Sequence, residues 1–348
     1  MIVTTRVDQT FIHHRRRVTL AAGHEGDRMI EVRGITKRYK DTTAVSDLSF
    51  DVHEGVVTGF LGPNGSGKST TMRMIMGLDA PDEGTATIDG VAYHGLGLPL
   101  REVGALLEAR AIHPGRSAFQ HLWFMAQTND IPRSRVSEVL EMVGLREVAQ
   151  RRVGKFSLGM GQRLGIAAAL LGDPPTLLFD EPINGLDPEG ILWVRNLLKG
   201  LALEGRTVFV SSHLMSEMAL TADQLVVIGR GRLISAGSVS DFIAESSGQF
   251  VRVRSPQGDG LGALLVQRGA HVVRESDGSF SVSGLDAPAI GTIAGEAGLH
   301  LHELSPQMAS LEEAFMELTR DSVEYRGHDV AGASGVDART TPLTETRK

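Results

Sequence analysis

Two stretches of this chain gather residue types that could work on a phosphate group. The first, Gly62-Pro63-Asn64-Gly65-Ser66-Gly67-Lys68-Ser69, matches the pattern G-x-x-x-x-G-K-[ST]. Glycines at this spacing let successive backbone N–H groups converge on phosphate oxygens. A helix opening near Gly67 would aim its positive dipole end at the same point. Gly62, Pro63, Asn64, Gly65, Ser66, Gly67, Lys68, Ser69 and Thr70 are therefore candidate nucleotide contacts, with Lys68 at the β- and γ-phosphates and Ser69 at Mg²⁺. The alternative is a plain glycine-rich turn, but an apolar run precedes the motif and a helical pattern follows it. In the second stretch, Leu177-Leu178-Phe179-Asp180-Glu181, an apolar run ends in two carboxylates. Asp180 is suited to hold Mg²⁺ through water, and Glu181 to polarise an attacking water as general base. Read alone, the acidic pair could instead stabilise a helix N-terminus.

Both stretches need a scaffold that ends buried strands at one place. Residues 56–61, 176–180 and 207–211 are β-branched and apolar, and each leads into a turn and a helical segment. That order predicts a parallel α/β sheet, whose ligands lie at the carboxyl ends of the strands. Across residues 110–165 the strand signal gives way to helical patterns, as in 134–143, which predicts a helical subdomain inserted in the α/β core. The expected division is a disordered extension over 1–28, a nucleotide-binding cassette over 29–240, a small C-terminal α/β domain over 249–321 and a disordered tail over 322–348. His13-His14-Arg15-Arg16-Arg17 in the extension could also meet an acidic or lipid surface. The pattern begins abruptly at Met29, a candidate native start.

In the C-terminal segment, residues 250–254, 272–275, 279–282 and 299–304 read as strands, with a hairpin around Asp277-Gly278. Residues 261–268 and 288–297 read as helices. His300 and His302 would then share one strand face, a weak hint of metal beside the plainer reading of a solvated face. A last helix is expected from a capping box at Ser310 and Glu313, with Leu311, Phe315 and Leu318 on one side.

Composition narrows the partners. The formal net charge is −7, so no domain-wide basic excess exists to neutralise nucleic acid, and none is expected as a partner. Cysteine is absent, which excludes disulfides and thiolate metal sites. No stretch approaches the roughly 20 apolar residues of a membrane span.

The motifs occur in an order that resembles the ABC ATPases, over about residues 29–235. Phe156-Ser157-Leu158-Gly159-Met160-Gly161-Gln162-Arg163 resembles the family signature, Asn184-Gly185-Leu186-Asp187-Pro188 its D-loop, and Ser211-Ser212-His213 its switch-histidine loop. Tyr39 stands where the family stacks an aromatic on adenine, although an ordinary core tyrosine is the other reading. The resemblance implies a P-loop NTPase fold that binds ATP and Mg²⁺ and hydrolyses ATP. It also implies a head-to-tail dimer of two copies, in which Ser157 and the backbone at Gly159 meet the partner's γ-phosphate. His213 would contact the γ-phosphate and hold Glu181 in line with the attacking water.

Two positions depart from the family pattern. Leu158 replaces a glycine, and Glu108 falls where a Mg²⁺-touching glutamine is usual, adding a negative charge near the γ-phosphate. A cassette with these features and a small C-terminal domain looks most like those serving drug and bacteriocin exporters. The implied partner is a separate membrane permease, with this chain on the cytoplasmic face and residues 108–124, including His113, Pro114, Phe119 and Trp123, as a docking groove. Alternatives are a soluble ABC ATPase with no membrane partner, a binding module that has lost hydrolysis, and plain core roles for Phe119 and Trp123.

Overall fold

A computed structural model describes residues 29–108, 112–245, 250–307, 311–312 and 315–316. The extension over 1–28, with its His/Arg cluster, and the tail over 322–348 lie outside the described residues. So do Ser310, Glu313 and Leu318 of the expected capping box and last helix, and Arg110 at the start of the expected helical subdomain.

The chain opens with strands β1 (Met29–Tyr39), β2 (Thr42–His53) and β3 (Val57–Leu61), helix α1 (Lys68–Ile75) and strand β4 (Glu83–Ile88). The short helix α2 (Pro99–Glu102) leads into β5 (Val103–Leu106). Three helices follow: α3 (Ala118–Gln127), α4 (Arg133–Met142) and α5 (Leu158–Leu170). Then come β6 (Thr176–Asp180), α6 (Pro188–Leu203), β7 (Thr207–Ser212), α7 (Met215–Thr221), β8 (Gln224–Gly229), β9 (Arg232–Ser238) and α8 (Val239–Glu245). The last unit runs β10 (Phe250–Arg254), α9 (Gly258–Gln267), β11 (His271–Arg274), β12 (Phe280–Ser283), α10 (Ala287–Glu296) and β13 (Glu303–Gln307).

A six-stranded sheet, ordered β5-β6-β7-β3-β8-β9, forms the centre. Its pairings are parallel from β5 to β8, and β9 closes one edge antiparallel. These strands read as unbroken apolar runs because both faces are covered. On β6 and β7, Leu177, Phe179, Val208 and Val210 face one core, while Leu178 and Phe209 face the other. The second core lies between this sheet, α1 and a three-stranded antiparallel sheet, β2-β1-β4. Its centre is a trio of rings, Phe50, Phe60 and Phe209, with centroids 5.1–5.6 Å apart.

The helices α3, α4 and α5 fill the insert. Buried Ala118, Leu122 and Ala126 recur at four-residue spacing on α3, and Val136, Val139 and Leu140 form the matching stripe on α4. Ser117 and Gln120 make a reciprocal capping box that starts α3.

The last unit is a split β-α-β pair with strand order β11-β12-β10-β13, and α9 and α10 close its own core. Here one expectation is corrected. The final strand begins at Glu303 rather than at 299, so His300 and His302 precede it. Leu299 and Leu301 pack against the core from the preceding loop, and that burial mimics a strand's apolar signal. Pro306 is accommodated because β13 is an edge strand. Among the described residues no cluster of three His, Asp or Glu side chains could hold a metal ion. Leu311 and Phe315 are buried in the large core of the cassette, not in the core of the last unit.

Truncating Phe60 to alanine should cost about 3–5 kcal/mol, because the ring is fully buried and its cavity cannot collapse against a sheet. Denaturant unfolding checks this; a loss below about 1 kcal/mol would show that the face repacks freely.

Candidate functional site

The carboxyl ends of β3, β6 and β7, side by side in the parallel sheet, each deliver a piece of the site. The turn after β3 carries Gly62 to Gly67, and α1 starts at Lys68. Gly67 caps α1 at φ 104°, a left-handed conformation that suits glycine, and an added Cβ would come within 2.7 Å of the Ala44 carbonyl. Lys68 is nearly fully buried, and its Nζ donates to the carbonyls of Gly62 at 2.6 Å and Pro63 at 3.3 Å. Burial pushes the Lys68 ammonium below the ordinary lysine value, while the carboxylates of Glu181 and Asp180 pull it back up. The Ser66 hydroxyl is buried without a hydrogen-bond partner. A buried cation resting on main-chain carbonyls and an unpaired hydroxyl are groups suited to a phosphate. Asn64 is exposed in the same loop, and in the first turn of α1 Ser69 is exposed and Thr70 half-buried.

The end of β6 places Asp180 and Glu181. Asp180 pairs in register with Ser211 of β7, and the Ser211 hydroxyl donates to its Oδ1. The same Ser211 accepts from the Glu181 backbone N–H, through Oγ at 3.0 Å and through its carbonyl at 3.3 Å. Glu181 has a φ of 51°, a left-handed conformation costly for a residue with a Cβ. Its Oε2 lies 2.8 Å from Nδ1 of His213, which the end of β7 delivers. The structure thus brings Lys68, Asp180, Glu181 and His213 together at one edge. That donor set suits a hard divalent cation and an anionic ligand: Asp180 and Ser69 carry hard oxygens, and the Lys68 ammonium lies in the field of both carboxylates.

The other expected residues sit on different elements. Tyr39 ends β1 and is exposed, which removes the core-tyrosine reading; its hydroxyl donates to Asp79 at 2.9 Å, and Lys37 Nζ sits 5.6 Å over the ring. Asp79 is held below the usual carboxylate range, chiefly by its bond to Arg73. Glu108 is exposed just beyond β5. Ser157 is the N-cap of α5, accepting from the Met160 N–H at 3.2 Å, so the signature opens a helix. Leu158 is the first residue of that helix with negative φ, and glycine's freedom is not needed there. Its side chain lies over Gly185, where an added Cβ would come within 2.1 Å of Leu158 Cδ2.

Three contributors were quoted in the motifs without the roles the structure gives them. Ser211 stood in the segment resembling the switch-histidine loop, where only His213 was assigned a contact. Asp187 caps α6 through the Gly190 N–H at 2.9 Å, with Pro188 in the first turn, a pairing the sequence does advertise. Gln162, buried on α5, donates its Nε2 to the Glu181 carbonyl at 2.9 Å, and no local pattern marks that contact.

A family model described as ABC transporter matches residues 45–184, and a model of a domain of unknown function (DUF8746) matches residues 249–312. The uncharacterised ABC transporter ATP-binding protein YhcH of Bacillus subtilis is 35% identical over 305 residues, covering 86% of this chain and 99% of that protein. The chain belongs to the ABC transporter ATP-binding proteins. The bacitracin transport ATP-binding protein BcrA of Bacillus licheniformis is 41% identical over 209 residues, 59% of this chain and 68% of that protein. Among solved structures, a dimeric post-hydrolysis state of the ATP-binding cassette MJ0796, bound to ADP and Pi, superposes with a TM-score of 0.55 at 27% identity, covering 60% of this chain and 98% of that one. The protein is therefore an ATP-binding subunit of an ABC transporter with an ABC ATPase domain, and the fold is the P-loop cassette with an inserted helical subdomain and a small C-terminal α/β domain.

Replacing Lys68 with alanine should weaken ATP binding by about 2–5 kcal/mol, the usual cost of deleting a buried, hydrogen-bonded charge partner. Equilibrium binding of a fluorescent ATP analogue checks this; unchanged affinity would remove Lys68 from the phosphate site.

Proposed function

We propose that this chain hydrolyses ATP as one half of a head-to-tail dimer and thereby energises export of a drug-like or peptide substrate through a separate membrane permease. The observation that carries the catalytic part is the Glu181–His213 contact of 2.8 Å at the edge that also holds Lys68 and Asp180. In this reading the P-loop residues Gly62 to Thr70 cradle the phosphates with their backbone N–H groups, and Lys68 neutralises the β- and γ-oxygens. Tyr39 stacks on adenine. Glu181 accepts a proton from the attacking water, and His213 orients that carboxylate and contacts the γ-phosphate. Ser69 and Asp180, with Glu108 through water, would hold Mg²⁺, which when bound neutralises charge developing on the phosphate oxygens. Ser157 and the backbone at Gly159 complete the partner copy's site from the N-terminus of α5.

The export part rests on different support. No helix among the described residues is long and apolar enough to cross a membrane. The bacitracin transport relative and the departures at Leu158 and Glu108 favour an exporter, operating at the cytoplasmic face. We narrow the proposed docking groove to its exposed residues. Phe119 and Trp123 are half-buried against the main core under Arg133, whereas Phe124 is exposed beneath Arg116 and lies with exposed His113 and Pro114. We place the permease contact on that exposed edge.

Glu181→Gln should slow turnover by about 10²–10⁴-fold, the usual worth of a general base, with ATP affinity retained. Equal rates in the two forms would remove Glu181 from that role. Used as bait with Mg-ATP on native membranes, the same variant should capture an integral membrane protein in near-equal amount. Soluble partners alone, beside intact hydrolysis in the wild type, would end the transport assignment and favour a soluble ABC ATPase.

A further inference from the structure

The Glu181 main chain is held from two sides. Ser211 of β7 takes its N–H, and Gln162 of α5 takes its carbonyl at 2.9 Å. Gln162 is 4% exposed, so its amide has little water to turn to, and its donor is committed to this one carbonyl. The residue it holds is the one whose left-handed φ of 51° costs about 1–2 kcal/mol and persists only when its neighbours impose it.

The position of Gln162 gives this bond a second meaning. It lies just over one turn beyond Ser157, the N-cap of the same helix. Further along α5, Gly165 packs against Leu106 at the end of β5, where an added Cβ would come within 2.5 Å of Leu106 Cδ1. The helix that presents the signature is therefore fastened both to the base and to the strand leading to Glu108.

We propose that Gln162 is a positioning residue, which orients the Glu181 carboxylate through its main-chain carbonyl and ties the base of each copy's own site to the signature helix that serves the partner copy's nucleotide. This rests on the reading of Glu181 as general base in a head-to-tail dimer. A shift of α5 as the partner's nucleotide engages Ser157 then moves the Glu181 peptide directly. Hydrolysis in one site thereby becomes sensitive to occupancy of the other, without a contact between the two nucleotides.

The test uses the full chain and four forms: wild type, Gln162→Leu, Glu181→Gln and the double variant. Steady-state ATP hydrolysis gives kcat and KM, and a fluorescent ATP analogue gives Kd. Gln162→Leu should lower kcat on the order of tenfold to a hundredfold, the scale of a small misplacement of a reacting group, with KM and Kd within about twofold. The double variant should be no slower than Glu181→Gln alone, because Gln162 acts only through Glu181. A wild-type kcat in Gln162→Leu overturns the proposal. So does a loss that multiplies with that of Glu181→Gln, or one that follows Kd. If Glu181→Gln itself turns over like wild type, the general-base reading fails, whatever Gln162 does. Should Gln162→Leu not fold, Gln162→Glu keeps the shape and replaces the donor with an acceptor. The same kcat loss at unchanged Kd is expected of it, and a wild-type rate overturns the proposal equally.

Discussion

The site depends first on one strand pairing. β6 lies parallel to β7 with Asp180 opposite Ser211, and that register lets a single hydroxyl serve two carboxylate residues at once. Ser211 donates to Asp180 and accepts from the Glu181 N–H. A slip of β6 by one residue would turn Asp180 away and move Leu178 from one core to the other. Two separate hydrophobic cores therefore enforce the register that the chemistry requires. The same logic places the P-loop, since β3 pairs with β7 on its other side and ends beside it.

Much of this was legible in the sequence because the chemistry demands particular residue types. Nothing but glycine tolerates the φ of Gly67, and a lysine buried at Lys68 has few purposes other than binding an anion. The apolar strands were legible as well, since burial on both faces removes any polar alternation. The roles of Gln162 and Ser211 were not. Both act on a main-chain group far away in sequence, which no spacing rule within one segment records. The last strand was misplaced by three to four residues because Leu299 and Leu301 satisfy the core from a loop.

Leu158 stands where the resembled signature carries a glycine, but the residue is helical and needs no glycine freedom. Its side chain instead covers Gly185, so the substitution adds an apolar contact between the signature helix and the loop after the acidic pair. Leu311 and Phe315 extend the same theme at the other end of the chain. They return from the last unit to the large core of the cassette, which joins the two units by packing as well as by the covalent link.

The account turns on two copies enclosing nucleotide between the P-loop of one and the signature of the other. Sedimentation of Glu181→Gln with Mg-ATP tests this most directly. The account predicts a shift from one copy to two on adding ATP, lost when Ser157 is replaced by arginine at the cap of α5. A single copy at saturating ATP, or a dimer indifferent to Ser157→Arg, would contradict it.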